Sequence, residues 1–516
     1  MRSFRSTFAY PLLGIAVCVL AVALCLKRAP EAEPAPPSFD PTPIDAIIAE
    51  AQKSWDVPGV AVAVIRDDRV IYLKGFGIRQ HGEDARITPD TLFPIASCTK
   101  AFTTTALAML VDEGKLAWDD PVRKHVPQFK LADPLADSHI VLRDLVSHRA
   151  GVGSNDFLWY RSPWGRDEVV RRIGLVKPKY PFRAGFEYQS TMFTVAGMAV
   201  ESASGQAWED FVQKRICTPL GMKDVAFTTP EAQKNPDHAR PHRKGADGSM
   251  HVIPEYVLAR PEPSGSMSAS ARDLAQWVRF QLGDGSFDGR KLVSSAALHE
   301  THTPQNIIPF AGEARAFNPN TAQMSYGMAW VIQDYHGRQL VSHAGQVDGF
   351  RTHITLVPRE RLGIVVLTNL DRTRMNLAVS NAIVDKLLDL PARDWNDFFQ
   401  SQLRKAEKDA RTRYESWMAQ RNLSAGPTQP LKAYVGDYSD PAYGTARIVL
   451  ERGQLIWKWS TFSAPLVHFH YDTFVIQDEV LSYPRIVFTI DRNGEPASFQ
   501  VSQPLDVEFR RDAEKR

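Results

Sequence analysis

The pattern of apolar and polar positions divides the chain into stretches of different character. A short helix is expected over residues 44–54, followed by an almost unbroken apolar run over 57–65. Asp67-Asp68 then forms a turn and residues 70–76 a second apolar strand, which together read as a hairpin. A helical pattern runs from Ser97 through Ala106, Leu107, Met109 and Leu110 to Gly114, which stands in the position of a C-cap. Helices are expected again over residues 191–204, 208–216 and 271–282, the last with Ser270 and Asp273 suited to its N-terminus. Strand patterns return at 326–332, 340–343, 351–356 and 362–368. Strands at both ends of a segment with helices between predict one sheet assembled from both termini and flanked by helices, an α/β (α+β) architecture.

Residues 394–421 read as a charged helix carrying Trp395, Phe398, Phe399, Tyr414 and Trp417, and Gly426-Pro427 and Pro430 end it. Beyond lie short alternating runs at 434–438, 445–450, 454–459, 473–476, 486–490, 498–501 and 507–509, separated by turns such as Glu451-Arg452-Gly453 and Asp491-Arg492-Asn493-Gly494. Seven or eight strands at this spacing predict a small all-β barrel or sandwich.

The N-terminus is different again. Residues 8–26 are apolar, preceded by Arg2 and Arg5 and stopped by Lys27-Arg28. Ala21-Val22-Ala23, the candidate cleavage site, falls inside the run, and Val17 and Leu24 before Cys18 and Cys25 do not fit a lipoprotein signal. An uncleaved membrane anchor is therefore preferred over a cleaved signal peptide, and either implies export of the large body that follows. Residues 29–43 are proline-rich and are expected to be an extended, stiff spacer. The expected organisation is an anchor or signal (1–28), a linker (29–43), a catalytic body (44–393), a helical connector (394–425) and a barrel (426–516).

Composition adds exclusions. The 516 residues carry 61 basic and 59 acidic side chains, a net +2, so there is no electrostatic footprint for nucleic acid. Four cysteines rule out a disulfide scaffold, and with only Cys98 and Cys217 in the body no disulfide is expected.

The only S-x-x-K in the chain is Ser97-Cys98-Thr99-Lys100, where a helix starts. Three-residue spacing on a helix puts the Ser97 hydroxyl and the Lys100 amine on one face, and burial beside a helix N-terminus lowers a lysine pKa toward that of a useful base. Alone, the match equally describes a serine N-cap with an exposed lysine. Tyr188-Gln189-Ser190 lies downstream at a loop leading into a helix, and His343-Ala344-Gly345 ends an expected strand.

This order of S-x-x-K, Y-x-N/S and K/H-x-G resembles the serine β-lactamase and penicillin-binding-protein superfamily, in its class C β-lactamase-like branch. Leu142–Val152 (L-R-D-L-V-S-H-R-A-G-V), Cys217–Asp224 and Gly265–Ala275 agree with it. The resemblance spans residues 44–390 and implies an antiparallel sheet flanked by helices; the C-terminal β segment looks like the lipocalin-like domain of some members. It further implies Ser97 as nucleophile of an acyl-enzyme, Lys100 as its base or proton relay, and Tyr188 as a second base whose pKa must be shifted down. An oxyanion hole is implied at the main-chain N–H groups of Ser97 and Gln346, and substrate binding at Ser190, His343, Ala344 and Gly345. No cofactor and no metal are implied.

Departures from the family pattern narrow the substrate. Histidine at 343 replaces a permanently charged lysine, Ala344 lacks a hydroxyl for a substrate carboxylate, and Ser190 replaces an amide. The expectation is an exported or membrane-tethered serine hydrolase acting on a D-residue peptide or a small ester. A true β-lactamase or DD-peptidase, and a non-catalytic envelope binding protein on the same fold, are the alternatives. Cys98 is expected to be packing and His148 to hydrogen-bond a loop. His238, His242 and His251 read as polar loop rather than as zinc ligands, and His468 and His470 as neighbours on one strand face. For the barrel, apolar ligand binding, shaping of the active-site mouth and oligomerisation all stay open.

Overall fold

The computed structural model describes residues 39–513 except Ala246 and Leu423. The N-terminal apolar run and residues 29–38 of the proline-rich spacer lie outside the described residues, and the last two residues of the expected spacer, Thr42 and Pro43, begin the first helix instead of an extended segment. Among the described residues no helix is long and apolar enough to cross a membrane.

Helix α1 (Thr42–Trp55) turns Ile44, Ile48, Ala51 and Trp55 inward at helical spacing. It leads into β1 (Gly59–Arg66), whose first seven residues are all buried, and β2 (Arg69–Gly77). Asp67 and Asp68, both at positive φ, make the tight turn expected there. The buried helix α2 (Thr99–Asp112) follows, then α3 (Ser190–Ser204) and α4 (Ala271–Leu282). The Ser270 side chain caps α4 by accepting from the Asp273 N–H.

Strands β3 (Asn306–Ile308), β4 (Met324–Tyr326), β5 (Val331–Tyr335), β6 (Arg338–Val347), β7 (Phe350–Val357) and β8 (Leu362–Thr368) complete the sheet. Its order is β3-β4-β5-β6-β7-β8-β1-β2, antiparallel throughout, so the N-terminal hairpin docks on the last C-terminal strand through Val60↔Thr368 to Arg66↔Leu362. This is the two-ended sheet that the strand pattern predicts. Helix α4 covers β1 and β8, and α5 (Met375–Leu387) lies on β8 and β7 against α1.

Three local expectations need correction. Residues 326–332 are not one strand: β4 and β5 are joined by a turn in which Gly327 N–H donates to Trp330 O (2.7 Å) and Ala329 has φ +70°. Met328, Ala329 and Trp330 are buried, so the turn is as apolar as the strands it joins and hydropathy does not mark it. His343-Ala344-Gly345 lies within β6 rather than at its end. The helix begun at Trp208 becomes a π turn at Gln213–Cys217.

Helix α6 (Trp395–Met418) buries Trp395 and Phe399 at one end, where the Trp395 indole donates to Asp385 (2.7 Å). At the other end Trp417 stacks on Phe469 of the barrel with ring centroids 4.4 Å apart. The barrel comprises β9 (Gly436–Asp440), β10 (Gly444–Glu451), β11 (Gln454–Trp459), β12 (Phe462–His470), β13 (Thr473–Ile476), β14 (Arg485–Ile490), β15 (Pro496–Val501) and β16 (Val507–Arg511). Each strand pairs with its chain neighbour, and Tyr438↔Arg511 closes the ring. Strand β12 was not expected, because Pro465 interrupts its pattern. A bulge separates His468 from His470, so the two do not share a regular strand face. Tyr434, Tyr438, Trp457, Phe488 and Phe499 fill the interior. From Thr42 onward body and barrel pack as one unit.

Candidate active site

The S-x-x-K segment is aimed by its backbone. Ala96, at φ +46°, is in the left-handed region uncommon for a residue with a Cβ, and it turns the chain into a short 3-10 segment (Ala96–Cys98) that continues as α2. Lys100 is thereby fully buried, and its Nζ lies 3.1 Å from Ser97 Oγ, 3.5 Å from Ser190 Oγ and 2.7 Å from Ser264 O. Burial lowers its pKa to about 8, against the opposing pull of Asp156, Glu262 and Cys98. A fully buried amine bonded to a serine hydroxyl is not the exposed lysine of the N-cap reading.

Tyr188 enters from the loop before α3. Its ring faces Lys100 Nζ at 5.0 Å from the centroid, and its hydroxyl is buried without a closed hydrogen bond among the described residues. The phenol was expected to be shifted down. Burial instead pushes it up, and the nearby Ser97 hydroxyl offsets little of that. The physical reason is where the cation sits: Lys100 lies over the ring face, while desolvation penalises the phenolate directly and the Asp156 charge adds to the penalty.

The opposite wall is β6. At Gly345 a Cβ would collide with the carbonyl of Ile95, so glycine is what lets the strand approach the turn that carries Ser97. His343 lies beside it, buried, with Nδ1 2.7 Å from Ala344 O and Nε2 3.0 Å from Tyr326 Oη. Nδ1 has an acceptor for its proton and Nε2 accepts from the tyrosine, which describes a neutral ring. Burial, and then the Lys100 charge, lower its pKa to about 3. Ala344 and Gln346 line the same cavity, and the Cys98 thiol, raised by burial, points instead at His343 O (3.5 Å).

His148 accepts the Gln189 N–H at Nδ1 (3.0 Å) and packs against Tyr188 with centroids 4.3 Å apart. It thus holds the loop that carries Tyr188. His238 bonds Glu255, His242 bonds Asn369 O and the His81 N–H, and His251 bonds Ser249. Among the described residues there is no cluster arranged for a metal. Cys98 and Cys217 are buried free thiols.

These groups open on a cavity of about 670 Å³. Sequence reasoning missed most of its lining, and three of the missed contributors bear on the site. Tyr326 is the partner of His343, Asp156 lies beside Ser190 and Lys100, and Val480 comes from the barrel. None belongs to a motif. The sequence signal nearest to Asp156 is its place a few residues beyond Ser147-His148-Arg149-Ala150-Gly151.

The fold, with Ser97, Lys100 and Tyr188 brought together, is that of a class of serine hydrolases, and comparison with known proteins agrees on the family. Residues 44–387 match the beta-lactamase family, and the chain belongs to it. Residues 420–515 match a domain of unknown function, DUF3471. An unguisins hydrolase of Aspergillus campestris is 29% identical over 432 residues, 78% of this chain and 77% of that protein. The octameric penicillin-binding protein homologue from Pyrococcus abyssi shares the fold over 92% of this chain and 99% of its own, with TM-score 0.60 and 21% identity. A D-stereospecific amidohydrolase from a Streptomyces species aligns over 63% of this chain and 94% of its own, with TM-score 0.52 and 22% identity. The protein is therefore a beta-lactamase-family serine hydrolase in fold and in family.

Proposed function

We propose that the protein is an exported or membrane-tethered hydrolase that cleaves an amide or ester through an acyl-enzyme on Ser97. The observation that carries this reading is the 3.1 Å contact between Ser97 Oγ and a fully buried Lys100 whose pKa is lowered to about 8. The neutral amine takes the Ser97 proton as Oγ bonds to the carbonyl carbon. Main-chain N–H groups of Ser97 and Gln346 hold the oxyanion, a donor pair that needs no reorganisation. Tyr188, protonated because burial disfavours its phenolate, gives its proton to the leaving nitrogen or oxygen as that bond breaks, and recovers one from the Lys100 ammonium. Water then releases the acyl group by the reverse route. Export rests on the apolar N-terminal run and its basic flanks.

A peptide with a D-residue or a small ester is the favoured substrate class. Support comes from the neutral His343 and the methyl of Ala344, which together offer little to the carboxylate of a β-lactam or of a D-Ala-D-Ala terminus. It comes also from relatives whose names record hydrolysis of unguisins and D-stereospecific amide hydrolysis.

The test is intact-mass spectrometry after a fluorophosphonate probe and, separately, after benzylpenicillin, with Ser97→Ala as control. One fluorophosphonate adduct, lost in the variant, is expected. A stable penicilloyl adduct moves the assignment toward the penicillin-binding members, and no adduct from either probe overturns the acyl-serine mechanism.

A further inference from the structure

The cavity is lined by three aspartates, and two of them are neutralised. Asp348 pairs with Arg161 (3.0 Å) and accepts from Tyr160 Oη. Asp371 pairs with both Arg243 (2.8 Å) and Arg351 (2.7 Å). The third, Asp156, has no ion-pair partner within 4 Å among the described residues; the Trp159 indole donates to its Oδ1 (3.0 Å), and the Ser190 hydroxyl lies beside it. Arg372, the remaining cation on the cavity wall, pairs with Glu479 (3.5 Å). Asp371 is shared by two arginines, so its cluster keeps one excess positive charge; Asp156 is the lining aspartate without an ion pair of its own, and it stands next to the reacting groups.

Its position is held from several sides. Asn155, at φ +49°, turns the chain so that Asp156 opens a short 3-10 segment (Asp156–Leu158), and Trp159 fixes one carboxylate oxygen. Ser190 is its neighbour, and Ser190 Oγ is 3.5 Å from Lys100 Nζ, which is 3.1 Å from Ser97 Oγ. The carboxylate therefore sits a few hydrogen-bond lengths from the nucleophile. Burial drives the Asp156 carboxyl toward its neutral form, opposed by the Trp159 hydrogen bond and the Lys100 charge, and an incoming ammonium would favour the charged carboxylate.

Resting on the acyl-enzyme reading above, we propose that Asp156 is a specificity-determining residue that binds the free α-ammonium of the acyl residue. The substrates are then α-amino acid amides, esters or peptides cleaved after an unblocked N-terminal residue. An α-ammonium lies two bonds from the carbonyl carbon that Ser97 attacks, a separation that fits a carboxylate so near to Ser97. Lys100, Tyr188 and His343 leave the ammonium without repulsion when the lysine is in its neutral, reactive form. The other carboxylates of the cleft are already engaged by arginines and cannot offer a second such anchor without breaking an ion pair.

The experiment compares D- and L-alanine p-nitroanilide with their N-acetyl derivatives, so that the leaving group is constant and only the acyl-side charge changes. Wild-type kcat/KM is expected to favour the free amine of at least one enantiomer by about 10- to 100-fold, the worth of one charge-assisted hydrogen bond in a desolvated site. Asp156→Asn is expected to collapse that ratio to near unity, whereas Asp156→Glu restores part of it. Equal losses on free and acetylated substrates, with a displaced pH profile, would mean that Asp156 acts on Lys100 instead and would overturn the proposal. So would a wild-type preference for the acetylated compounds. Fluorophosphonate labelling of Ser97 in the same preparations separates failure of this inference from failure of the acyl-serine reading.

Discussion

One wall of the cleft is a strand of the main sheet and the other is an irregular loop leaning on the barrel. On the sheet side, β6 is locked between β5 and β7, Gly345 is pressed on Ile95, and His343 is pinned by Tyr326 and by the neighbouring carbonyl. On the loop side, Asn155 donates to Tyr443 of the barrel (2.8 Å), and Ser460 and Thr461 both donate to Arg161 O (2.8 and 2.7 Å). Phe157 lies among Trp459 and Phe462, and Arg172 reaches Ala442 O (2.7 Å). The sheet side presents the fixed geometry that oxyanion stabilisation requires, while the loop side sets the shape of the cavity. The difference teaches that the barrel braces one wall of the candidate site, and Val480 and the Arg372–Glu479 pair continue that contact across the mouth.

The largest effect is expected between the walls, where the buried amine sits. Lys100→Met keeps the volume and removes the base, so phosphonylation of Ser97 by a fluorophosphonate should slow by about 10²- to 10⁴-fold, the usual worth of a positioned general base. The melting temperature should hold or rise, because a buried ammonium disfavours the fold. A large fall in melting temperature would instead assign the loss of rate to unfolding.

Next comes the pH profile. Only the neutral amine accepts the Ser97 proton, so kcat/KM should rise with pH, level above about 8, and drop about tenfold per unit below that value. His343, held near 3, should contribute no inflection between pH 5 and 10, and the upshifted Tyr188 should add no descending limb in that window. A limb centred near 6.5 would hand the role of base to an imidazole and remove the asymmetry assigned to the walls.

A smaller effect tests the sheet side alone. Tyr326→Phe leaves His343 Nε2 buried without its donor, which costs about 1–3 kcal/mol of stability. The loss should register as a lower denaturation midpoint with an unchanged m value. An unaltered midpoint would show that His343 is free to change tautomer and that the wall is less fixed than its hydrogen bonds imply.

More of the sheet side than of the loop side was legible in the sequence, for a physical reason. Apolar runs such as residues 57–65 and 362–368 announce buried strands, and Ser97, Lys100, Tyr188 and His343 each stand in a short local motif that can be read without the fold. The direction of the Lys100 shift followed from burial, whereas that of Tyr188 did not, since sequence does not say whether a cation meets a ring at its face or at its oxygen. Asp156 carries no motif, and its role depends on which arginines neutralise Asp348 and Asp371, contacts that bridge residues far apart in the chain. The β4–β5 turn was hidden because it is apolar, and β12 because Pro465 sits in it.

The smallest prediction probes the loop side through a residue remote from the chemistry. Tyr443→Phe deletes the hydroxyl that accepts from Asn155 and keeps the ring beside Trp459, whose indole donates to the Tyr443 main-chain carbonyl and so is undisturbed. One hydrogen bond of this kind is worth about 0.5–1.5 kcal/mol net. Asn155 immediately precedes Asp156, so the loss should loosen the wall that carries the carboxylate and appear as a rise in KM of up to about tenfold on the substrate with a free amine. Phosphonylation of Ser97 by a fluorophosphonate, which has no ammonium to anchor, should proceed at the wild-type rate. A fall in that phosphonylation rate with KM unchanged would mean that the barrel positions the reacting atoms themselves, and the division of labour between the two walls would have to be abandoned.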